Sequence, residues 1–456
     1  MFDPVIFREY DIRGVYQKQF DDDFAQTLGK AFATHLQKVF NKKGCTVVIG
    51  HDARVSSPKI ASFLSEGLRA AGADVLNIGL VTTPICYFST FEVPNVDGAI
   101  MVTGSHNPPE YNGFKISVGK STIFGQQIQT LRLLMESGDF YKGQGLEKKF
   151  DILPSYIARY QSEFGKMRPL KVVLDCGNGA AGAVVRRLYE AVGLSPVILF
   201  EEPDGRFPNH HPDPTVESNL AHLKKKVVEC GAVCGIGFDG DADRIGVVDH
   251  SGRMIYGDEL MVIIARDILR TNPGAKIIGD VKCSDRLYDD IRKNGGTPIM
   301  WKTGHSLVKE KIKSEKAPFG GEMSGHIFFA DRNYGYDDAP YAGLRLLEIL
   351  SKTGKSIPDL LDGLPAAYNT PEIRIDTTEE KKLLVVQKMR ESFSAESASD
   401  YRVDLTDGIR ISFEDGWALC RSSNTQPVLV LRFESKSQAG LDRIRRRVES
   451  VVNQYL

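Results

Sequence analysis

Short apolar runs that predict buried strands alternate with helical patterns through most of this 456-residue chain. In the first part, residues 45–49, 75–78 and 99–102 are strand-like, and residues 59–71 have helical periodicity. This alternation indicates α/β units built on a mostly parallel sheet. Ligands bind such sheets at the loops that follow the carboxyl ends of the strands, so functional side chains are expected in those loops.

The same alternation continues for most of the chain and then stops. Strand-like runs at 171–174 and 233–238 form a second set, and runs at 276–278 and 298–301 form a third. A weak internal repeat, an apolar strand before a small or acidic loop, suggests that these sets are related. The end of the chain differs, because strand runs joined by short turns predict an antiparallel sheet with two helices. The predicted strands there are 373–375, 408–413, 417–420 and 428–433, and the predicted helices are 379–392 and 437–453.

Composition argues against several classes of function. The formal net charge is -1, so no overall field favours nucleic acid or an anionic membrane. No run reaches the length of about 18 apolar residues that a membrane span needs, and the first ten residues lack the apolar core of a signal peptide. The seven Cys are scattered without Cys-x-x-Cys spacing, which predicts free thiols in a reducing compartment. We therefore expect a cytoplasmic protein with neither nucleic acid nor membrane as a partner.

Two loop motifs carry the strongest chemical signal. Residues 103–108, Thr-Gly-Ser-His-Asn-Pro, follow a strand and present Ser105 after a glycine that permits close approach of another backbone. Residues 239–244, Asp-Gly-Asp-Ala-Asp-Arg, present three carboxylates that share one side if the segment is extended. Three oxygen ligands suit Mg²⁺. A phosphorylated serine would carry nearly two negative charges and would need such a metal nearby. The two motifs together predict a phosphoryl carrier and the metal site that supports it.

Two later loops offer groups that suit a sugar phosphate. Glu322, Ser324 and His326 alternate along residues 320–326, and an extended loop would present them as one polar face for sugar hydroxyls. Residues 421–427 follow a strand and combine an arginine with hydroxyl and backbone donors, as in a phosphate cradle. Each run alone is more often a polar turn. Combined with the first two motifs, they indicate an enzyme that acts on sugar phosphates.

The chain resembles the α-D-phosphohexomutase superfamily, most closely its bacterial phosphomannomutase/phosphoglucomutase branch, over essentially its whole length. The motifs that carry the resemblance are residues 9–14, 103–108, 112–115, 239–244, 301–306, 321–326 and 421–427. The resemblance implies an α/β fold of four domains around a central cleft, with three related α/β domains and a C-terminal α+β domain. We place the domains at 1–150, 151–252, 253–365 and 366–456. In that order they carry the phosphoserine loop, the Mg²⁺ loop, the sugar-recognition loop and the phosphate-binding loop.

The resemblance also implies roles for single residues. Ser105 would be the phosphoserine, and its phosphate would complete an Mg²⁺ site formed by Asp239, Asp241 and Asp243. The implied substrate contacts are Tyr10, Arg13, Arg244, Lys282, His305, Glu322, Ser324, His326, Arg421, Ser423, Asn424 and Thr425. Lys115 and His305 are the candidates for proton transfer. Ala242 stands where this branch often has glycine, a departure that concerns local geometry and leaves every charged group in place.

The implied activity is the interconversion of hexose 1-phosphate and hexose 6-phosphate, with mannose or glucose as the sugar. Phospho-Ser105 would give its phosphoryl group to the free hydroxyl of the substrate. The resulting 1,6-bisphosphosugar would turn over in the cleft and return its other phosphate to the serine. We therefore expect Mg²⁺ as a cofactor, glucose or mannose 1,6-bisphosphate as activator and intermediate, phosphosugars as the partners, and a monomer.

Three other functions stay open on the sequence. Phosphoglucosamine mutase shares the family fold, but its phosphate loop usually reads Ser-Gly-Thr-Glu-Pro, which differs from residues 423–427. A sugar phosphatase with an aspartate nucleophile would use Asp239 for attack and Asp241 as acid and base, and would leave Ser105 without a role. A non-catalytic sensor would bind the sugar phosphate without isomerising it.

Overall fold

The computed structural model describes residues 2–393, 400–424 and 426–456. Within these ranges, four sheets are each packed with helices. The first three sheets contain parallel strands, whereas the fourth is antiparallel throughout. The predicted class, three α/β domains followed by an α+β domain, is confirmed. No helix among the described residues has the length and apolar character to cross a bilayer.

The first domain is a seven-stranded sheet covered on both faces. Its strands are β1 (Ile12–Val15), β2 (Cys45–His51), β3 (Ala73–Leu80), β4 (Gly98–Val102), β5 (Tyr111–Val118), β6 (Ser121–Thr122) and β7 (Glu147–Lys149). Its helices are α1 (Asp22–Phe40), α2 (Ser57–Ala70), α3 (Thr83–Glu92) and α4 (Gln126–Ser137). The strand order is β1-β5-β4-β2-β3-β7, with β6 beside β5. In β2, Val47 and Ile49 belong to one core and Val48 to another, which explains the continuous apolar run of this strand.

The second domain contains a five-stranded sheet. Its strands are β8 (Val172–Asp175), β9 (Val197–Leu199), β10 (Cys234–Phe238), β11 (Ile245–Asp249) and β12 (Met254–Ile255). Its helices are α5 (Leu153–Phe164), α6 (Val185–Ala191) and α7 (Ala221–Cys230). The order is β12-β11-β10-β8-β9. Because β12 pairs with β11, this sheet extends past residue 252, where we placed the end of the domain.

The third domain contains a four-stranded sheet. Its strands are β13 (Lys276–Asp280), β14 (Thr297–Trp301), β15 (Phe319–Gly321) and β16 (Ile327–Phe329), in the order β14-β13-β15-β16. Its helices are α8 (Gly257–Thr271), α9 (Asp285–Lys293), α10 (His305–Glu315), α11 (Ala339–Thr353) and α12 (Ile357–Leu360). A single large core runs through α3, α5, α6, α8 and α11, and so joins the first three domains. This shared core fixes the loops of the three sheets relative to one another.

The fourth domain has its own core under an antiparallel sheet. Its strands are β17 (Tyr368–Asn369), β18 (Ile373–Asp376), β19 (Tyr401–Asp404), β20 (Ile409–Phe413), β21 (Gly416–Ser422) and β22 (Val428–Ser435). Its helices are α13 (Glu379–Ser392) and α14 (Gln438–Tyr455). The order is β17-β22-β21-β20-β19, and β18 also pairs with β22. The two helices contact each other and pack on the sheet.

The first three sheets share one topology. Each contains the same four-strand path, β5-β4-β2-β3, β11-β10-β8-β9 and β16-β15-β13-β14. In each path, one antiparallel pair follows the parallel strands, and the loop inside that pair contains a predicted site motif. The weak sequence repeat falls on the equivalent strands β2, β8 and β13. The topology therefore places Ser105, the three aspartates and Glu322 at corresponding positions in three domains.

Candidate active site

A cleft of about 660 Å³ lies where the four domains meet. Every predicted substrate residue that the structure describes lines this cleft, as do Ser105 and Lys115. Thr425, which we also predicted to bind substrate, lies outside the described residues. The three aspartates do not line the cleft directly, because they are fully buried behind Ser105 and Lys115.

Ser105 occupies the loop between β4 and β5 in a strained conformation. Its backbone φ is 50°, a left-handed value that is uncommon for residues other than glycine. Its Oγ lies 3.1 Å from Oδ2 of Asp239 and 3.1 Å from Nδ1 of His106. The hydroxyl of Ser105 therefore points from the first domain at the carboxylate cluster of the second.

The three aspartates converge, but the extended geometry that we predicted for them is wrong. The loop must reverse the chain between the antiparallel strands β10 and β11, so it forms a tight turn. The Ala242 N–H donates to the Asp239 carbonyl at 3.0 Å, and Ala242 adopts a φ of 58°. The turn brings one carboxylate oxygen each from Asp239, Asp241 and Asp243 within 4.8 Å of one another.

This cluster fits a divalent cation. Nζ of Lys115 contacts Oδ2 of Asp241 at 2.7 Å and also contacts Oδ2 of Asp243, so one ammonium is shared by two of the three carboxylates. Within the described part of the chain, Oδ1 of Asp241 and Oδ1 of Asp243 are buried without a hydrogen-bond partner, a costly state for a carboxylate oxygen. Burial, and then the charges of the other two aspartates, raise the pKa of Asp239. The site is therefore short of positive charge and presents the hard oxygen ligands that Mg²⁺ prefers.

Lys115 is held as a cation. It projects from β5 and its side chain is only 3% exposed. Burial opposes its charge, but the carboxylates of Asp241 and Asp243 outweigh that effect and raise the pKa of Lys115 above its ordinary value. A side chain that keeps its proton this firmly suits charge neutralisation better than proton transfer.

Two histidines face each other across the cleft, with ring centroids 5.6 Å apart. Nζ of Lys309 lies 3.2 Å from Nδ1 of His305, and because an ammonium can only donate, the proton of this imidazole sits on Nε2. Burial, and then the charge of Lys309, lower the pKa of His305, so the ring is neutral. His326 accepts from Nε of Arg244 at 3.0 Å, and its Nδ1 lies 2.9 Å from Oδ2 of Asp337.

The loop after β15 is also a turn, so the extended loop predicted for it is wrong. The Gly325 N–H donates to the Glu322 carbonyl at 3.0 Å, and the φ of Gly325 is 86°. Glu322 and Ser324 remain neighbours, with Oγ of Ser324 3.5 Å from Oε2 of Glu322. His326 instead contacts Arg244 of the second domain, so the predicted polar face is divided between two sides of the cleft.

The fourth domain is linked to two others through Asp407, which pairs with Arg421 at the end of β21, and through Asn424 in the loop between β21 and β22. Nε of Arg421 donates to Oδ2 of Asp407 at 2.9 Å, and the same carboxylate oxygen accepts from the Thr303 N–H at 3.1 Å. Asn424 donates through Nδ2 to the hydroxyl of Tyr10 in the first domain. These contacts hold the predicted phosphate-binding loop over the cleft.

Two further cations line the cleft from different domains. Nη1 of Arg13 donates to Oδ1 of Asn107 at 3.2 Å, next to the Ser105 loop. Nζ of Lys282 lies 3.2 Å from Oε2 of Glu372, at the boundary of the third and fourth domains. Each cation has a local acidic or amide partner and still borders the open space.

Several residues of the site escaped the sequence analysis, and six of them lie close to the predicted groups or border the cleft beside them. Asp52 and Arg54 lie behind the Ser105 loop, and Lys309 and Asp337 lie behind the two histidines. His211 and Asp213 line the cleft from the loop that precedes α7. The position of Asp52 directly after a buried strand was the available signal, since that is where ligand-binding side chains collect. The other five stand in no motif that a single sequence reveals.

Comparison with known proteins identifies relatives over nearly the whole chain. Family models described as phosphoglucomutase/phosphomannomutase match in order, with alpha/beta/alpha domains I, II and III at residues 4–142, 154–252 and 256–368 and the C-terminal domain at 372–451. A phosphomannomutase/phosphoglucomutase from Pseudomonas aeruginosa is 43% identical over 96% of this chain and 94% of its own. A phosphoglucomutase from Neisseria gonorrhoeae is 42% identical over 98% of this chain and 96% of its own.

A solved structure agrees in fold as well as in sequence. The phosphoglucomutase/phosphomannomutase family protein from Burkholderia thailandensis superposes with a TM-score of 0.92 at 44% identity, over 99% of this chain and 98% of that one. The four-domain architecture implied by the motifs is therefore confirmed by sequence and by structure. The chain belongs to the phosphoglucomutase/phosphomannomutase family of the α-D-phosphohexomutase superfamily.

Proposed function

We propose that this chain interconverts the 1-phosphates and 6-phosphates of mannose or glucose, with Ser105 as the phosphoryl carrier. The observation that carries the proposal is the Ser105 hydroxyl, which points at the aspartate cluster from the floor of a cleft bordered by all four domains. A hydroxyl in this position can accept and return a phosphoryl group while nearby charges stabilise the transfer. The relatives named above support the hexose phosphate as substrate.

Asp239, Asp241 and Asp243 would hold Mg²⁺, and the phosphate on Ser105 would be a further ligand. When bound, the cation offsets negative charge on the transferring group. Lys115 adds a fixed positive charge beside the same carboxylates. We therefore assign Lys115 to charge neutralisation, although it was one of our two candidates for proton transfer.

His305 is the proton-transfer candidate that the geometry favours. Its Nε2 carries a proton, is buried, and has no hydrogen-bond partner among the described residues. This N–H can donate to the oxygen that loses the phosphoryl group, and the ammonium of Lys309 beside Nδ1 can supply a replacement proton. Arg244, bonded to His326, brings a further positive charge to the phosphate.

The rest of the cleft suits a sugar that binds in two orientations. Glu322 and Ser324 offer a carboxylate and a hydroxyl for sugar hydroxyls. Arg421, Ser423 and Asn424 form the cradle for the phosphate that is not reacting. Such an arrangement accepts either end of a 1,6-bisphosphosugar, so the intermediate can turn over in the cleft and return its other phosphate to Ser105. Glucose or mannose 1,6-bisphosphate would prime the enzyme.

Phosphatase chemistry at Asp239 fits the site less well. Oδ1 of Asp239 accepts from the backbone N–H groups of Asp243 and Arg244 at 3.0 and 3.1 Å. Oδ2 faces the Ser105 hydroxyl. Asp239 is fully buried and does not line the cleft, so a substrate phosphate reaches the Ser105 hydroxyl before it reaches either oxygen of Asp239.

The proposed partners are small phosphosugars. We also propose a monomer that works in the cytoplasm, in keeping with seven cysteines that all carry free thiols. Light scattering of the purified protein tests the proposed monomer, and the mass of a dimer would contradict it.

Activity with three sugars tests the proposal. The 1-phosphates of mannose and glucose should be isomerised faster than that of glucosamine, and the rates should depend on a 1,6-bisphosphate. Ser105→Ala should abolish turnover and leave the melting temperature unchanged. Ser89→Ala, which removes a buried hydroxyl that donates within α3, is the matched control and should stay active.

Other outcomes would redirect the assignment. Retained mutase activity in Ser105→Ala would contradict the carrier. Preference for glucosamine 1-phosphate would identify a phosphoglucosamine mutase. Release of free phosphate without dependence on bisphosphate would support the aspartate phosphatase.

A further inference from the structure

We infer that Arg54 is a positioning residue that fixes the Ser105 loop and does not itself bind the transferring phosphoryl group. The inference rests on the proposal that Ser105 is the phosphoryl carrier. Arg54 lies just after β2, and its side chain is 0% exposed. A charge so deeply buried must be paired and fully hydrogen-bonded, which makes its contacts informative.

Every donor of the Arg54 side chain is occupied. A guanidinium has five N–H donors and no acceptor. The five acceptors are Oδ2 of Asp52 at 3.2 Å from Nε, the Pro108 and Tyr111 carbonyls at 2.5 and 2.9 Å from Nη1, and the Ser105 and Asn107 carbonyls at 2.8 and 2.5 Å from Nη2. Arg54 is in direct contact with the loop that contains Ser105, but it has no donor left to bind a phosphate.

The four carbonyls span the whole loop from Ser105 to Tyr111. One rigid planar group thus holds the segment between β4 and β5 at several points. Asp52 holds the start of the loop in the same way, since its Oδ2 accepts from the Thr103 hydroxyl at 2.8 Å and from the Gly104 N–H at 3.2 Å. These contacts keep Ser105 in its left-handed conformation, which a free loop would relax.

Packing fixes the guanidinium from both sides. A Cβ added to Gly104 would lie 2.5 Å from Cζ of Arg54, so only glycine lets the loop lie flat on the group. The Phe207 ring of the second domain lies 5.3 Å from Cζ of Arg54, and a Cβ added to Gly205 would lie 2.3 Å from Cα of Arg54. The second domain, which supplies Asp239, is therefore seated on the residue that holds Ser105.

This arrangement sets the distance between the Ser105 hydroxyl and the metal site. Arg54→Lys keeps the charge but offers three donors on one atom, which cannot span the four carbonyls. A displacement of about 1 Å at a reacting atom lowers the rate of reaction roughly 100-fold. Substrate contacts elsewhere in the cleft are untouched, so the KM for glucose 1-phosphate should not change.

The test compares Arg54→Lys with wild type and with Arg345→Lys. Arg345 is 2% exposed, pairs with Asp331 at 2.8 Å and does not line the cleft, so it controls for loss of a buried guanidinium. Each protein is incubated with glucose 1,6-bisphosphate and Mg²⁺, and phosphate on the Ser105 peptide is quantified by mass. Transfer of the phosphoryl group to glucose 1-phosphate is then followed by rapid quench. The rate is divided by the amount of phosphoserine, so that unfolded protein does not affect it.

We expect Arg54→Lys to transfer roughly 100-fold more slowly than wild type at unchanged KM, and Arg345→Lys to transfer at the wild-type rate. Equal rates for the two lysine variants would overturn the inference. A raised KM or weakened bisphosphate binding with normal transfer would also overturn it, because that pattern identifies a phosphate ligand.

Gly104→Ala provides a second variant if Arg54→Lys fails to fold. It keeps Arg54 and pushes the loop off the guanidinium, so it should lower transfer per phosphoserine in the same way. A normal transfer rate in this variant would count against the inference. Absence of phosphate from Ser105 in the wild type would instead refute the proposed carrier, and the role of Arg54 with it. This outcome differs from a normal transfer rate in the variants, which would refute the role of Arg54 and leave the carrier intact.

Discussion

The backbone of Gly240 in the aspartate loop lies against the backbone of Ser105 in the serine loop. A Cβ built at this position lies 2.4 Å from the Ser105 carbonyl oxygen, whereas ordinary contact begins at 3.4 Å. Gly240 does not have a positive φ, so alanine is compatible with its backbone conformation. The effect of Gly240→Ala is therefore steric. The two atoms nearest to this Cβ are the carbonyl oxygen and carbonyl carbon of Ser105, both of them backbone atoms. The two loops must therefore separate by about 1 Å, which lowers the transfer rate roughly 100-fold. That loss corresponds to about 2.7 kcal/mol in the barrier.

The assay is transfer from phospho-Ser105 to glucose 1-phosphate in a single turnover. Gly237→Ala in β10, the strand that precedes the aspartate loop, is the control, because its nearest neighbour is a flexible atom, Cδ2 of Leu220 at 3.1 Å. It should transfer at close to the wild-type rate. Wild-type transfer by Gly240→Ala, in a protein with unchanged melting temperature, would refute the argument that loop spacing controls the rate.

Three further predictions concern stability, pH and metal. Ala242→Gly relieves a left-handed conformation and should raise the free energy of unfolding by about 1 kcal/mol, measured by urea titration; a loss of stability would contradict the strain. Burial raises the pKa of Asp338 to about 7, against hydrogen bonds from Tyr156 and Tyr160, so the native carboxyl keeps a proton that the unfolded one loses. Stability should therefore fall as the pH rises from about 4 to about 7, and Asp338→Asn should flatten this slope; equal slopes would contradict the assignment. Asp241→Asn should weaken Mg²⁺ binding in calorimetry, and an unchanged affinity would exclude this carboxylate as a ligand.

The parts of this fold that depend on local pattern were predictable from the sequence. The strands β2, β4, β8 and β13 are apolar runs because both faces of their sheets are covered. The α+β end was visible in strands joined by short turns. Loop geometry was not predictable in the same way. Alternate residues share one side only in an extended segment. An antiparallel partner strand forces a short loop to reverse direction, and Ala242 and Gly325 adopt positive φ values in these turns.

Contacts between distant segments account for the rest of what the sequence analysis missed. Arg54 binds carbonyls that lie more than fifty positions away in the chain, and nothing near it in sequence indicates them. Arg410 of the fourth domain likewise donates to the Cys283 carbonyl at 2.9 Å and stacks on Trp417, and so holds the loop that carries Lys282. Such residues are set by the assembled domains, since a single sequence shows which side chains are charged but not which loops they meet.

The most direct test of the phosphoryl carrier is peptide mass mapping before and after incubation with glucose 1,6-bisphosphate. The proposed mechanism predicts a phosphate-sized gain on the peptide that contains Ser105, which is lost when glucose 1-phosphate is added in the presence of Mg²⁺. No gain on that peptide, together with a labile acyl phosphate on Asp239, would contradict it.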